Sequence, residues 1–313
     1  MQLSKNRLGI LALVVGIAVF SVQDLILKLV SCDYPLHQAM MLRSVVAIPF
    51  LLVITQAFDG TLDTLWRPTW PFMLARGFLN FVAYTAYYLA LAALPMATTV
   101  ALYFTAPLMI VIFAVLFLKE RVSADRWLAL IAGFLGVLLM VRPGSMMFDW
   151  AMLLPILCGA AYAGSMILAR VMGIKESAAA MAFWGNASFL IAALVLSLIF
   201  GWNEATTGHP SITFLTRGWV WPTHWDGFLM ALCGPISAVG ITLLTAAYRM
   251  GQSATIAPFE FSFAFWGLLF GWLFFSDLPD FLGWIGIAVI IGAGIYVLAS
   301  EPEQTQAPEK AVE

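Results

Sequence analysis

Apolar residues run almost unbroken from Leu8 to Val30, and runs of similar length recur along the chain. A bilayer hydrocarbon core about 30 Å thick is crossed by about 20 helical residues at about 1.5 Å each. Runs of that length predict ten spanning helices, over 8–30, 35–57, 71–93, 97–118, 126–142, 149–171, 178–200, 226–248, 254–275 and 281–299. The short alternating segments of a membrane barrel do not occur in these runs. Most connections are short. The exception is 201–225, "GWNEATTGHPSITFLTRGWVWPTHW", whose turn residues and four tryptophans suggest an interfacial loop. Residues 1–7 and the acidic, Pro-containing 300–313 are expected as a short N-terminus and a disordered tail.

Composition agrees with that pattern. Of 313 residues, 62% are hydrophobic and 10% charged, with a mean hydropathy of +0.94. Soluble domains are about 25% charged, so this chain has too little polar surface to cover itself in water. The expected class is an all-α integral membrane protein. Net charge is −2 without a basic block, which argues against a nucleic-acid partner. Cys32, Cys158 and Cys233 show no metal-ligand spacing, so no metal, cofactor or disulfide framework is expected. The first fifteen residues resemble a signal peptide, but the apolar run continues past that length without a small-x-small site. It is expected to be retained as the first span.

The basic residues set an orientation. With the N-terminus cytoplasmic, inner loops and adjoining helix ends hold Lys5, Arg7, Arg67, Arg76, Lys119, Arg121, Arg126, Arg170, Lys175, Arg249 and Lys310; the outer side holds Arg142 and Arg217. That asymmetry predicts both termini in the cytoplasm, in a plasma (inner) membrane. Sliding the chain by 157 residues superposes 77–127 on 234–284 with eleven identities, among them Gly77/Gly234, Thr85/Thr242, Phe104/Phe261 and Trp127/Trp284. Span 3 then maps to span 8, 4 to 9 and 5 to 10. Each half therefore has five helices, 8–142 and 149–299, and an odd number inverts the second half. Inverted repeats around a midplane site are the usual build of secondary transporters. No GxxxxGK[ST] loop is present.

Charges inside spans are costly, about 2.5–3.5 kcal/mol each at a helix centre, and so mark candidate sites. Asp24 and Lys28 lie at i, i+4 on one face of helix 1, and Arg43 enters span 2 at about the depth of Asp24. Pairs Asp24–Arg43 or Asp24–Lys28 would clamp helices, line the outer half of a cavity, or do both in turn. Glu260, in "TIAPFEFSFAF", lies about 9 Å from the inner end of span 9 with no basic residue expected at its depth. Substrate binding, proton coupling and a neutral acid bonded to a neighbouring helix are the three uses open to it. Tyr84, Tyr87 and Tyr88 share a helical face. Because a tyrosine hydroxyl needs a partner in an apolar medium, Tyr84, Tyr87, Tyr103 and Tyr162 are the better cavity candidates. Such walls suit a planar or aromatic solute. Gly234, Pro235, Pro258 and Pro107 are hinge candidates. His37, His209 and His224 lie in loops or at span ends, which argues against an intramembrane enzyme. A non-transporting scaffold is argued against by the inverted repeat.

The chain resembles the drug/metabolite transporter superfamily in its EamA-type ten-helix branch. The carriers are "GIAVFSVQDLILKLV", "HQAMMLRSVVAIPF", "ALAALPMATTVALYFTAPLMIVIFAVLFLKERVS" and "ALIAGFLGVLLMVRPG". "FFSDLP" departs from the pattern, with Asp277 where many members have a glutamate. The resemblance implies two inverted five-helix repeats around a central cavity and passage of a small organic metabolite without ATP. The first span and "LHQAMMLRS" are similar to EamA-type riboflavin importers; exporters of amino acids or related metabolites and S-adenosylmethionine carriers share the fold. Coupling to protons, and monomer against homodimer, stay open.

Overall fold

In an apolar medium a backbone amide finds its partner only within the chain, and a helix supplies one for every interior residue. The computed structural model describes residues 5–30, 33–66, 69–94, 99, 102–141, 149–172, 175–203, 208–275 and 281–299, and no strand occurs among them. Ten helices of 13 or more residues follow the predicted runs: α1 Lys5–Val30, α2 Leu36–Asp59, α3 Trp70–Ala93, α4 Ala106–Leu118, α5 Ala124–Val141, α6 Leu153–Met172, α7 Ala178–Phe200, α8 His224–Met250, α9 Ser262–Phe275 and α10 Phe281–Ala299. Among the described residues five segments are long and apolar enough to cross a membrane: Lys5–Leu27, Leu36–Asp59, Trp150–Met172, Ala178–Phe200 and His224–Met250. Arg67, Arg142, Asp277, Cys32 and the tail 300–313 lie outside the described residues, as does the side chain of Lys28.

Two predicted spans differ from continuous helices. Before α4, a turn at Phe104–Thr105 separates helical residues 102–103 from Ala106. Before α9, the turn Ser253–Ile256 passes into a 3₁₀ segment, Ala257–Phe261. Pro107 and Pro258 stand in the first turns of α4 and of that 3₁₀ segment, where a missing N–H costs nothing. They start helices and do not bend them, so their reading as interruptions of a ladder is corrected. Pro235 does lie inside a continuous helix, and so does Pro49 in α2.

The principal packing partners are α1 with α8, α3 with α6, α2 with α7 and α8, α3 with α7, α4 with α6, and α5 with α10. Glycine sets two of these distances. A Cβ on Gly77 of α3 would lie 2.8 Å from the Gly185 Cα of α7 and would also strike Ser188 Oγ. One on Gly234 of α8 would lie 2.7 Å from Val46 and 3.0 Å from the Ala47 nitrogen of α2. Gly234 is thus a tight packing contact between helices.

The 201–225 connection carries a short helix, Pro210–Thr216, and lies across the end of the bundle opposite the N-terminus. Ser211 Oγ donates to the Leu89 carbonyl at 2.7 Å, and Gln38 exchanges two bonds with Val220. His209 meets Asp149 at 3.3 Å. The Ala151 N–H and that imidazole hold the Asp149 carboxyl below the usual carboxylate range. Trp202 and Trp221 of this loop are exposed, as an interfacial position requires.

Gly77→Ala is expected to destabilise the detergent-solubilised protein by about 1–3 kcal/mol, because two helix backbones must separate. Gly292→Ala, whose Cβ meets nothing within 4 Å, is expected to be neutral or to gain up to about 1 kcal/mol from helix propensity. Denaturant unfolding of the two variants checks this.

Candidate functional site

The bundle holds a cavity lined by α1, α3, α6, α8 and the segments around the starts of α4 and α9. Ile17, Phe20 and Asp24 come from one face of α1, Ala83, Tyr84 and Tyr87 from α3, and Cys158 and Tyr162 from α6. Leu244 of α8 and Tyr103, Glu260 and Phe263, from the two interrupted segments, complete the wall. The spacings 17/20/24 and 158/162 are those that align side chains on one helical face. The cavity has a volume of about 60 Å³, room for a few waters.

Asp24, Tyr84, Tyr87, Tyr103, Tyr162 and Glu260, proposed from sequence, thus converge on one cavity. Arg43 does not line it. Its side chain is buried, its guanidinium carbon stands 4.8 Å over the Phe189 ring, and no ion pair with Asp24 within 4 Å is found among the described residues. Phe189 in turn meets Tyr84 edge-on at 5.5 Å, so the cation sits one aromatic layer behind the wall. The expected Asp24–Arg43 clamp is corrected: Asp24 Oδ1 accepts a 2.7 Å bond from the Tyr88 hydroxyl. An aromatic face attracts a cation by about 0.5–2 kcal/mol and lets it stay buried without a direct carboxylate.

Glu260 is buried, and its Oε1 accepts from the Tyr162 hydroxyl at 2.9 Å and the Tyr248 hydroxyl at 2.8 Å. The expectation that no base lies at its depth is also corrected. Arg76, counted from sequence among the surface bases of a helix end, is fully buried. Its Nε donates to the Ser165 carbonyl at 3.1 Å, Nη1 to the Met181 carbonyl at 3.4 Å and Nη2 to Thr245 Oγ1 at 2.8 Å. Six residues into α3 is about 9 Å of rise, the same depth argument that singled out Glu260. Tyr248 was not singled out from the sequence, and Tyr88, placed on the face of Tyr84 and Tyr87, was not among the cavity candidates.

The aromatic walls interlock. Phe20 stacks on Tyr84 at 5.8 Å, Tyr87 meets Tyr103 at 5.5 Å, and Phe104 meets Phe261 at 5.6 Å. At the end of the bundle that carries the N-terminus, Glu120 accepts from the Ser253 and Ala254 N–H groups, at 3.4 and 3.2 Å, so it caps the turn that leads toward Glu260. Arg170 approaches the same carboxylate at 3.8 Å. No group of metal-binding side chains occurs among the described residues.

Residues 7–142 match the EamA-like transporter family. The chain is 30% identical over 235 residues to a riboflavin transporter of Rhizobium johnstonii, covering 75% of this chain and 72% of that protein. This chain belongs to the EamA-like transporter family. An EamA-like chain is a multi-pass membrane protein that carries small molecules, and the family's names are those of transporters and not of enzymes. A second relative, the pseudopaline exporter of Pseudomonas aeruginosa, is 26% identical over 94% of this chain and 97% of its own. A solved crystal structure, 16% identical, superposes with a TM-score of 0.75 over 96% of this chain and 98% of that one, and so shares the fold.

Tyr88→Phe removes a hydrogen bond to the Asp24 carboxylate, and bonds to charged groups contribute about 1.5–3 kcal/mol. The expected result is a loss of that order in detergent unfolding, with Tyr87→Phe, where no such bond is seen among the described residues, losing less.

Proposed function

We propose that this EamA-like chain is a secondary transporter that moves a small organic metabolite across the inner membrane by alternating access. Ten spanning helices form two inverted repeats, 8–142 and 149–299, with both termini cytoplasmic. Packing supports the repeat: exchanging each helix for the one five places along turns α1–α8 into α6–α3, α2–α8 into α7–α3, and α4–α6 into α9–α1, all of them observed pairs. Gly77 and Gly234, equivalent in the sequence repeat, both make close helix contacts, and the equivalent Phe104 and Phe261 meet each other. Equivalent residues touch where a two-fold axis passes.

The observation that carries the reading is the cavity, lined from both halves, with Tyr103 and Glu260 at equivalent positions on its wall. Discontinuous helices beside a buried site are what transporter folds use to bind a solute. Asp24, Lys28 and Glu260 are the charged groups proposed to meet it in turn, with Arg43 behind the wall, and the tyrosines suit a planar or aromatic solute. Riboflavin is the first to test, given the relative named for it. Export of amino acids or related metabolites is the second reading, favoured by the exporter that matches nearly the whole chain. Protons are the proposed coupling ion, with Glu260 as carrier; the working unit is a monomer or homodimer.

The test is uptake by proteoliposomes of labelled riboflavin, amino acids and nucleosides, with and without a pH gradient. Transport of one of these is expected, with loss or uncoupling in Glu260→Gln at normal expression. Wild-type uptake by Glu260→Gln across the pH range would remove Glu260 from coupling. No transport of any solute by well-folded protein would remove the substrate assignment.

A further inference from the structure

Arg76 heads the wholly buried large side chains, and none of its three acceptors is a carboxylate. Taking a guanidinium out of water costs several kcal/mol, and neutral acceptors offset that only in part. Glu260 has the complementary problem: its bonds among the described residues come from two neutral hydroxyls. The two charges are tied to the same two helices. Arg76 binds α6 at Ser165 and α8 at Thr245, while Glu260 binds α6 at Tyr162 and α8 at Tyr248. Residues 162 and 165 are neighbours at i, i+3 on α6, and 245 and 248 on α8, so each pair lies on one helical face. A slide or rotation of either helix therefore changes both sets of bonds at once.

We infer that Arg76 is a positioning residue of the cavity, acting through Glu260. Its fork sets the register of α6 against α8, so that the Tyr162 and Tyr248 hydroxyls converge on Glu260 Oε1. Arg76 does not line the cavity, so it makes no contact with a solute there. A simple helix clamp would hold the same helices together without reference to the acid. The inference rests on Glu260 being a working residue of a transporter, but its two-helix geometry can be tested without any solute.

The experiment is a pair of double-variant cycles on the purified full-length protein, read as unfolding constants from denaturation in mixed micelles. Arg76→Gln removes the fork between α6 and α8, and Glu260→Gln weakens the acceptor on which the two hydroxyls converge, so each is expected to raise the unfolding constant. The double variant is expected to unfold about tenfold less readily than the product of the single effects. Arg76→Gln combined with Asp24→Asn, the other cavity acid, is expected to multiply to within about twofold. If Arg76→Gln yields no folded protein, recovery of folded protein in Arg76→Gln/Glu260→Gln supports the inference. Continued absence of the double variant, with Arg76→Lys/Glu260→Gln multiplying simply, overturns it. Simple multiplication in the first cycle, or equal coupling to Asp24, also overturns it and leaves a helix clamp. Failure of every solute in the proteoliposome panel would remove the transport assignment and leave this coupling unaffected.

Discussion

An ionised group inside a helical bundle must be met by a partner, and here the partners are mostly neutral. Asp24 is met by Tyr88, Glu260 by Tyr162 and Tyr248, Arg43 by the Phe189 ring, and Arg76 by two carbonyls and a threonine hydroxyl. The ion pairs seen among the described residues, Arg170–Glu120 and His209–Asp149, lie toward the two ends. Breaking a buried pair by removing one partner costs about 3–5 kcal/mol, whereas a single hydrogen bond to a charged group is worth about 1.5–3. Charges separated by hydroxyls and rings are therefore held firmly enough to survive in the bundle, yet one bond at a time can be exchanged.

The second constraint is how closely the helices approach. Apolar side chains gain little from each other when lipid is the alternative, so association in a bilayer depends on close packing of small residues. Gly77 against Gly185 and Gly234 against Val46 bring α3 to α7 and α8 to α2 with no room for a Cβ. Hydrogen bonds join the same four helices: Arg76 of α3 donates to the Met181 carbonyl of α7 and to Thr245 of α8, and Asn186 Nδ2 of α7 donates to the Ser44 carbonyl of α2 at 3.0 Å. Packing and polar satisfaction thus act on one set of interfaces.

Much of this was legible in the residues. Helix positions followed from apolar run length, because only a continuous helix satisfies its backbone in an apolar medium. Four tyrosines named for a cavity do line one, since a hydroxyl that wants a partner is driven inward. The breaks before α4 and α9 fall at Pro107 and Pro258, hinge candidates from the sequence, although "ALYFTAP" and "TIAPFEF" are otherwise as apolar as their surroundings. Arg76 was misread because a base near a helix end counts equally toward a charge asymmetry whether it points to water or into the bundle. The Asp24–Arg43 pair was misread for a related reason. Equal depth does not give equal direction, and Tyr88, one residue from Tyr87 on α3, reaches the carboxylate instead.

The cavity's size then bears on the proposed mechanism. On the proposed mechanism an aromatic metabolite would need more room than a cavity of about 60 Å³ gives, so α1, α3, α6 and the interrupted segments would separate to bind it. Pro107 and Pro258 supply no bend, and Gly234 is wedged against α2, which leaves Pro49 and Pro235 as the prolines inside continuous helices. A helix lacking one ladder bond at a proline can flex there, but α2 and α8 are joined at Gly234 next to Pro235, so they would flex together. Gly9, Gly16 and Gly240 hold α1 against α8 as closely as Gly234 holds α8 against α2, so on the proposed mechanism α1, α2 and α8 would move as one unit against α3 and α6. Such a movement would exchange the Tyr88 bond to Asp24 and the Tyr162 bond to Glu260 and keep those glycine contacts, so that the hydroxyl network would change between states.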